Sequence, residues 1–220
     1  MIADNLKRIR ENIERASGGR EVELVAVTKN RTEDEIRELY SAGQRVMAEN
    51  RVQEYVRKEC MFDDVRWDII GNLQKNKLKY IVGKVRLIHS VESLDLAGAI
   101  GELSEKRGVT SSVLIETNVS GESSKHGCRP EDLDEMIECA GKIKGIKVEG
   151  IMTVAPDTEN TAYLSGLFEK TRNIFDKLMQ YNSKYDNIDV KILSMGMSHD
   201  YIEAVKNGST MVRIGTALFL

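Results

Sequence analysis

Proline is nearly missing from this chain: Pro130 and Pro156 are the only two in 220 residues, and Pro130 sits where a helix would begin. Cysteine is equally sparse. Cys60, Cys128 and Cys139 are an odd count with no Cys-x-x-Cys spacing, which argues against a disulfide framework and against a structural zinc site. The three histidines, His89, His126 and His199, are scattered, with no His-x-x-x-His or His-Glu pair, so no metal site is expected. An excess of one charge is missing too. With 32 basic and 35 acidic residues there is no basic footprint for nucleic acid and no like-charged tail. No apolar run approaches the ~18 residues of a membrane-spanning helix. The first 19 residues are charged throughout and lack the apolar core of a signal peptide. A cytoplasmic protein without a membrane or nucleic-acid partner is therefore expected. No Pro/Gly/Ser-rich linker divides the chain, so one domain over residues 1–220 is expected.

What is present is a repeating rhythm. Residues 2–16 carry Leu6, Ile9 and Ile13 at helical spacing, and Ser17-Gly18-Gly19 stops them. Leu24-Val25-Ala26-Val27 follows as a fully buried strand, and Lys29 lies just beyond its carboxyl end. Thr32-Glu33-Asp34-Glu35 is an N-cap with an acid three residues on, opening a helix that ends at Gly43. Further strands are expected over 45–48, 65–70, 85–88, 112–117, 146–151, 190–193 and 211–214. Helical segments alternate with them, including a basic one at 75–80, a helix from the Ser93 cap to Gly108, and one from Ser198 to Lys206. Eight strands alternating with helices predict an α/β fold, a (β/α)8 TIM barrel with an extra N-terminal helix, compact beside the usual ~250 residues. A doubly wound open sheet is the alternative, because periodicity does not show whether a parallel sheet closes.

In a barrel every strand exit lies on one face, and that face carries the chemistry. The exits offer Lys29, Asn50, Gly71-Asn72, His89-Ser90, Asn118, Met152-Thr153, the run Ser194-Met195-Gly196-Met197-Ser198, and Gly215-Thr216. The last two loops are small, hydroxyl-bearing and glycine-containing, in the place where barrels hold phosphate with backbone N–H groups. Each also has a plain structural reading, Ser198 as an N-cap and Gly215 as a turn residue. Lys29 has one as well, a solvated lysine ending a strand. Together they suggest more. An amine beside a phosphate cradle suits pyridoxal phosphate, which takes an imine to its aldehyde and an anchor for its phosphate. Arg213 precedes Gly215 by two, on the same side of the strand, and is either half of a structural ion pair or a fixed charge near a cofactor. Beside a pyridine nitrogen it would disfavour protonation there and weaken the cofactor as an electron sink.

Seven motifs then stand in order: Val25-Ala26-Val27-Thr28-Lys29, Glu49-Asn50-Arg51-Val52-Gln53-Glu54, Trp67 through Ile70-Gly71 to Lys75-Asn76-Lys77, His89-Ser90-Val91-Glu92-Ser93, Asn118 to Gly127 with Ser124-Lys125, Leu193 to Ser198, and Val212-Arg213-Ile214-Gly215-Thr216. Together they resemble the pyridoxal phosphate homeostasis protein family, relatives of the alanine racemase barrel, over nearly the whole chain. The resemblance implies a fold type III barrel with pyridoxal 5′-phosphate as an aldimine on Lys29. It also implies that the phosphate lies around Ser198, Gly215 and Thr216, with Ser194 among the cofactor-binding residues and Asn50 and Arg213 near the ring. Three positions depart from the family pattern: Ala48 stands for glycine, Asn72 for the histidine after Ile-Gly, and Asp68 for the histidine after tryptophan. Asn72 puts in doubt an imidazole over the cofactor.

A racemase of this fold needs a second acid/base opposite the lysine, and no strand-exit tyrosine supplies one here. With the chain closing just after strand eight, no β-domain is expected to provide it either. The resemblance implies a protein that binds and hands over the cofactor and influences amino-acid and keto-acid balance without established catalysis. A weak racemase is the alternative, and a scaffold with a passenger cofactor a third. Pyridoxal-phosphate-dependent apoenzymes are the implied partners, and a monomer is the expected state, with a weak dimer as alternative. The Lys75–Lys79 run reads as a contact surface or a solvated helix face. Ser124-Lys125 offers a second cofactor-contacting lysine, and the 118–127 loop is long and polar enough to close over the site.

Overall fold

The computed structural model describes residues 1–122 and 126–220. Its eight strands are β1 (Glu23–Val27), β2 (Val46–Glu49), β3 (Arg66–Ile69), β4 (Leu87–Val91), β5 (Ser111–Glu116), β6 (Ile146–Met152), β7 (Ile188–Ser194) and β8 (Met211–Ile214). They are all parallel and hydrogen-bonded in chain order, and β8 returns to β1 through Glu23↔Met211 to Ala26↔Ile214. The barrel is closed, so the open sheet is set aside. Helices cover its outside: α1 (Ile2–Ser17), α2 (Glu33–Ser41), α3 (Val52–Lys58), α4 (Leu94–Arg107), α5 (Leu133–Ala140), α6 (Thr161–Leu178), α7 (Tyr201–Lys206) and α8 (Thr216–Phe219).

Two cores follow from the alternation of side chains along each strand. Leu24, Ala26, Met47 and Ile69 point outward and pack under the helices. Val25, Val46, Ala48, Leu87, Leu114, Met152 and Met211 point inward and fill the barrel. The N-terminal helix belongs to the outer core: Leu6 and Ile9 are fully buried, each contributing roughly 1.5–3 kcal/mol over exposure. Its Asn5 amide donates to the carbonyls of Leu218 and Leu220 at 3.1 Å, so the first helix holds the last. Thr32 and Glu35 form the expected capping box on α2, and Ser93 caps α4 through the Leu96 N–H.

Some boundaries differ from the sequence pattern. The 75–80 segment is a 3-10 turn rather than an α-helix, with Leu78 buried beneath it and Lys75 paired to Asp95. His89 and Ser90 lie inside β4 and are buried, not in an exit loop. Val85 is spent in a turn onto the Ile81 carbonyl, which delays the strand. The helix expected from Ser198 begins at Tyr201, and Pro130 opens a 3-10 turn that leads into α5. Ser124-Lys125 lies outside the described residues.

Candidate functional site

At the carboxyl end of the barrel is a cleft of about 260 Å³ lined by Val27, Lys29, Ile70, residues 156–158, residues 197–200, Arg213, Gly215 and Thr216. Five residues marked by the sequence therefore meet in one place: Lys29, Ser198, Arg213, Gly215 and Thr216. Two larger and more open depressions, about 730 and 570 Å³, lie at the opposite end among the loops that enter the strands. They are lined by charged residues of both signs, arginines with glutamates in the one and lysines with Asp186 in the other, and neither holds a residue that the sequence marks for the site. We therefore place the candidate site at the carboxyl end, as barrel geometry favours.

Each group arrives there for a local reason. Lys29 continues the inward register of Val25 and Val27 past the end of β1, so its amine rises exposed at the rim. The residue after it, Asn30, turns the chain with a left-handed φ of 59°. Ser198 does not cap α7, whose N-cap is Asp200. Its hydroxyl accepts instead from the N–H groups of Gly215 and Ala217, at 3.3 and 3.2 Å, joining the loop after β7 to the one after β8. The Asp200 carboxylate accepts the Met197 N–H and shapes the same turn, and burial raises its pKa. Gly196 makes the turn possible, with φ at 97° and only 2.7 Å from a notional Cβ to the Ala204 Cβ. Ser198→Ala leaves those two N–H groups without their acceptor and is expected to cost about 1 kcal/mol of stability in urea denaturation. It should also weaken binding of a phosphate-bearing ligand.

Arg213 is 4% exposed and points into the barrel. Its guanidinium donates to the Ser194 carbonyl at 2.8 Å, the Ser194 hydroxyl at 2.7 Å and the Thr153 carbonyl at 2.8 Å. Among the described residues no carboxylate comes within ion-pair distance, so it is not half of a structural ion pair. Burial lowers its pKa to about 10, and Asp200 and Glu116 oppose that from farther away. It remains a cation at neutral pH. Ser194 sits beneath the cleft rather than on its wall, where its hydroxyl receives Arg213 and meets His89 Nδ1 at 3.2 Å. The Asp68 carboxylate only accepts, so His89 carries its hydrogen on Nε2, toward Asp68 at 3.0 Å; burial lowers the pKa of the ring and keeps it neutral, which leaves Nδ1 to accept the Ser194 proton. Asp68 takes both arms of Arg86, which also grips Glu23 at the far end of the barrel. A polar column thus runs down the barrel from Arg213 to Glu23.

Asn50 is not brought into the cleft. It lies in a neighbouring crevice with Arg51, Gln53, Asn72, Gln74 and Lys77. Gly71 is packed against it so closely that a Cβ there would stand 2.1 Å from the Asn50 carbonyl oxygen and 2.7 Å from its side-chain oxygen. Glu116 ends β5 rather than following it, so its place in the sequence does not mark it as a strand exit. It follows Ser112 and Leu114 on the inward register of β5, across the ring from β1, and its pKa rises to about 7. Burial is the main cause and Glu92 the second, with Arg213 and His126 opposing. His126 Nδ1 lies 3.1 Å from Glu92, and both ring nitrogens are 3.3 Å from the Asn72 amide. An imidazole therefore stands beside Asn72, delivered by the loop after β5, but neither residue lines the cleft.

The alanine racemase N-terminal domain model matches residues 2–220. A pyridoxal phosphate homeostasis protein of Aquifex aeolicus is 43% identical over 217 residues, covering 97% of this chain and 93% of that one. The chain belongs to the pyridoxal phosphate homeostasis protein family. A member from Escherichia coli is 34% identical, covering 99% of this chain and 95% of its own. The solved structure of PipY from Synechococcus elongatus with pyridoxal phosphate bound superposes with a TM-score of 0.87 at 32% identity, over 100% of both chains. Alanine racemase of Clostridium difficile shares the fold at a TM-score of 0.78 and 20% identity, and this chain covers 59% of it.

Proposed function

We propose that this chain holds pyridoxal 5′-phosphate in the cleft at the barrel's carboxyl end and serves cofactor homeostasis. The observation that carries the reading is the convergence of a primary amine, a phosphate-sized set of hydroxyls and N–H groups, and a buried cation on one small cleft. The donor set fits the group. The Ser198 and Thr216 hydroxyls and the Thr216 N–H can donate to a phosphate beside Gly215, whose own N–H is taken by Ser198, and Lys29 Nζ can add to the aldehyde carbon, lose water and remain as a Schiff base. When bound, the cofactor supplies an aldehyde and a pyridine ring that can accept electrons. Arg213 stands as a fixed positive charge at the cleft, and beside a ring nitrogen it would disfavour protonation there. Such a site favours holding the cofactor over using it. Handover to pyridoxal-phosphate-dependent apoenzymes, influence on amino-acid and keto-acid balance, and action in the cytoplasm extend the proposal. The family and its PipY neighbour support the cofactor, and no helix among the described residues is long and apolar enough to cross a membrane.

The test is chemical. Purified protein incubated with pyridoxal phosphate, reduced with borohydride and digested should carry the pyridoxyl mass on the peptide containing Lys29, and Lys29→Ala should carry none. Label spread over surface lysines, or label unchanged in Lys29→Ala, would overturn the reading. A second reading, weak racemisation, draws on Glu116, an inward carboxyl that gains and loses a proton near neutrality. Loaded protein given D- or L-alanine in deuterated water decides it: deuterium at the α-carbon with turnover favours the racemase, and its absence favours holding alone.

A further inference from the structure

We propose that Glu49 and Lys58 form a buried knot that positions the two strand ends presenting Lys29 and Asn50; the proposal rests on the cofactor reading above. Thr28 and Glu49, the residues just before Lys29 and Asn50, point to the outer face of the barrel while their successors continue on the inner one. Under α3 they meet. Lys58 Nζ donates to Glu49 Oε1 at 2.7 Å and to the Thr28 carbonyl at 2.9 Å, and the Thr28 hydroxyl donates to the same Glu49 oxygen at 2.5 Å. Glu49 is 0% and Lys58 5% exposed, and Glu49 Oε2 has no hydrogen-bond partner among the described residues.

Such a cluster is a poor device for stability alone. Taking two charges out of water costs several kcal/mol, and apolar residues of similar volume hold a helix to a barrel as well or better. What the knot does that apolar packing would not is to fix the Thr28 carbonyl, one peptide before the amine of the site. On the other side of Lys29 the chain turns sharply at Asn30, whose left-handed φ of 59° is the one such value outside glycine among the described residues. That conformation is disfavoured for a residue with a Cβ and persists where neighbouring structure over-determines it. Lys29 is thus held between a tether and a strained turn, and the same tether sets the β2 exit from which Asn50 emerges. Lys58 is itself no second reactive amine, since its nitrogen is buried and engaged.

The double variant Glu49→Leu/Lys58→Met removes both charges together and leaves no orphan, and circular dichroism checks its fold. Two ligands separate positioning of the amine from the phosphate cradle: pyridoxal phosphate, and 4-deoxypyridoxine 5′-phosphate, which has no aldehyde. The analogue is expected to bind within twofold of wild type. The equilibrium constant for bonding to Lys29 should fall about tenfold, because small displacements of a reacting group carry effects of that size. Its pH profile should shift, and backbone hydrogen exchange over residues 28–31 and 49–52 should quicken relative to the rest of the barrel. A folded double variant with unchanged bonding constant, pH profile and exchange overturns the proposal. Where the double variant does not fold, Thr28→Val, which keeps both charges and removes one tether, is read the same way, with smaller changes in the same direction. A wild-type chain that takes no label at Lys29 overturns the cofactor reading instead, and the exchange rates still decide whether the knot fixes the two strand ends.

Discussion

Asp68→Ala is expected to lower the unfolding free energy by about 3–5 kcal/mol, the usual result of removing one partner from a buried charge pair. Asp68 is 0% exposed and accepts three hydrogen bonds, two from Arg86 and one from His89 Nε2. Arg86 keeps Glu23 after the substitution, but the His89 Nε2–H loses its acceptor inside the barrel. The consequence reaches the site. With the hydrogen on Nε2, Nδ1 accepts from the Ser194 hydroxyl, whose oxygen receives Arg213, and without Asp68 that tautomer loses the acceptor that fixes it. Asp68→Asn should cost less than alanine, since one acceptor survives, yet it turns an amide N–H toward a donor and cannot restore both contacts. The pH dependence has a definite sign. Despite burial, Arg86 and His89 hold the Asp68 carboxyl below its ordinary value, so its stabilisation is complete above the unfolded pKa and is lost as pH falls through the folded one. Urea denaturation at neutral and at acid pH should show that acid-side loss in wild type and a smaller one in Asp68→Ala.

The barrel was legible because each strand is a short apolar run bounded by polar turns, and eight runs of that kind leave little choice of architecture. Closure was not legible: the pairing of Val25 with Arg213 joins opposite ends of the chain. Strand β4 was displaced because Val85 has strand-like chemistry, and only the turn onto Ile81, a tertiary matter, takes it out of the sheet. At the site, Lys29, Ser198, Gly215 and Thr216 share the cleft, as their places after strands suggest, and of the two readings of Ser198 the N-cap of α7 falls to Asp200. The partners of Ser198 lie 17 and 19 residues on, beyond any local capping rule. Asn50 follows its strand as expected, but close packing against Gly71 keeps it in the next crevice. Glu116 had a usable signal, the alternation with Ser112 and Leu114, which was hidden by extending the strand to Thr117 and looking for chemistry only beyond it. The Asp68–His89 and Glu49–Lys58 pairs have no sequence period at all. They join residues from different elements, and only the fold brings them together.

Glu116→Gln is expected to stabilise the protein above neutral pH and to have almost no effect near pH 4. Burial, with Glu92 adding repulsion, pushes the Glu116 carboxyl from 4.5 to about 7. A folded-state pKa above the unfolded one means that the folded protein binds the proton more tightly. The corresponding stability is fully present below about pH 4.5 and is lost as pH rises through 7. The full interval corresponds to about 3 kcal/mol, and the partial access of solvent to this carboxyl brings the expected difference at pH 8 nearer 1–2 kcal/mol. The groups that face it are Glu92, Arg213 and His126, and of these Arg213 and His126 already temper the shift. Glutamine keeps the shape and removes the titration, so the variant should lose the decline that wild type shows between pH 5 and 8. Asp68 acts at the other end of the scale, where stability falls on acidification. Wild type should therefore be most stable in a window between the two limbs, with Asp68→Ala flattening the acid side and Glu116→Gln the neutral one. Urea midpoints from about pH 2 to pH 8 for the three proteins measure both slopes, the Asp68 limb lying below its ordinary carboxylate value and the Glu116 limb above 4.5. A wild-type midpoint that climbs steadily to pH 8, or an equal gain from Glu116→Gln at every pH, would show that the Glu116 carboxyl is ionised throughout and carries no proton at the mouth of the barrel.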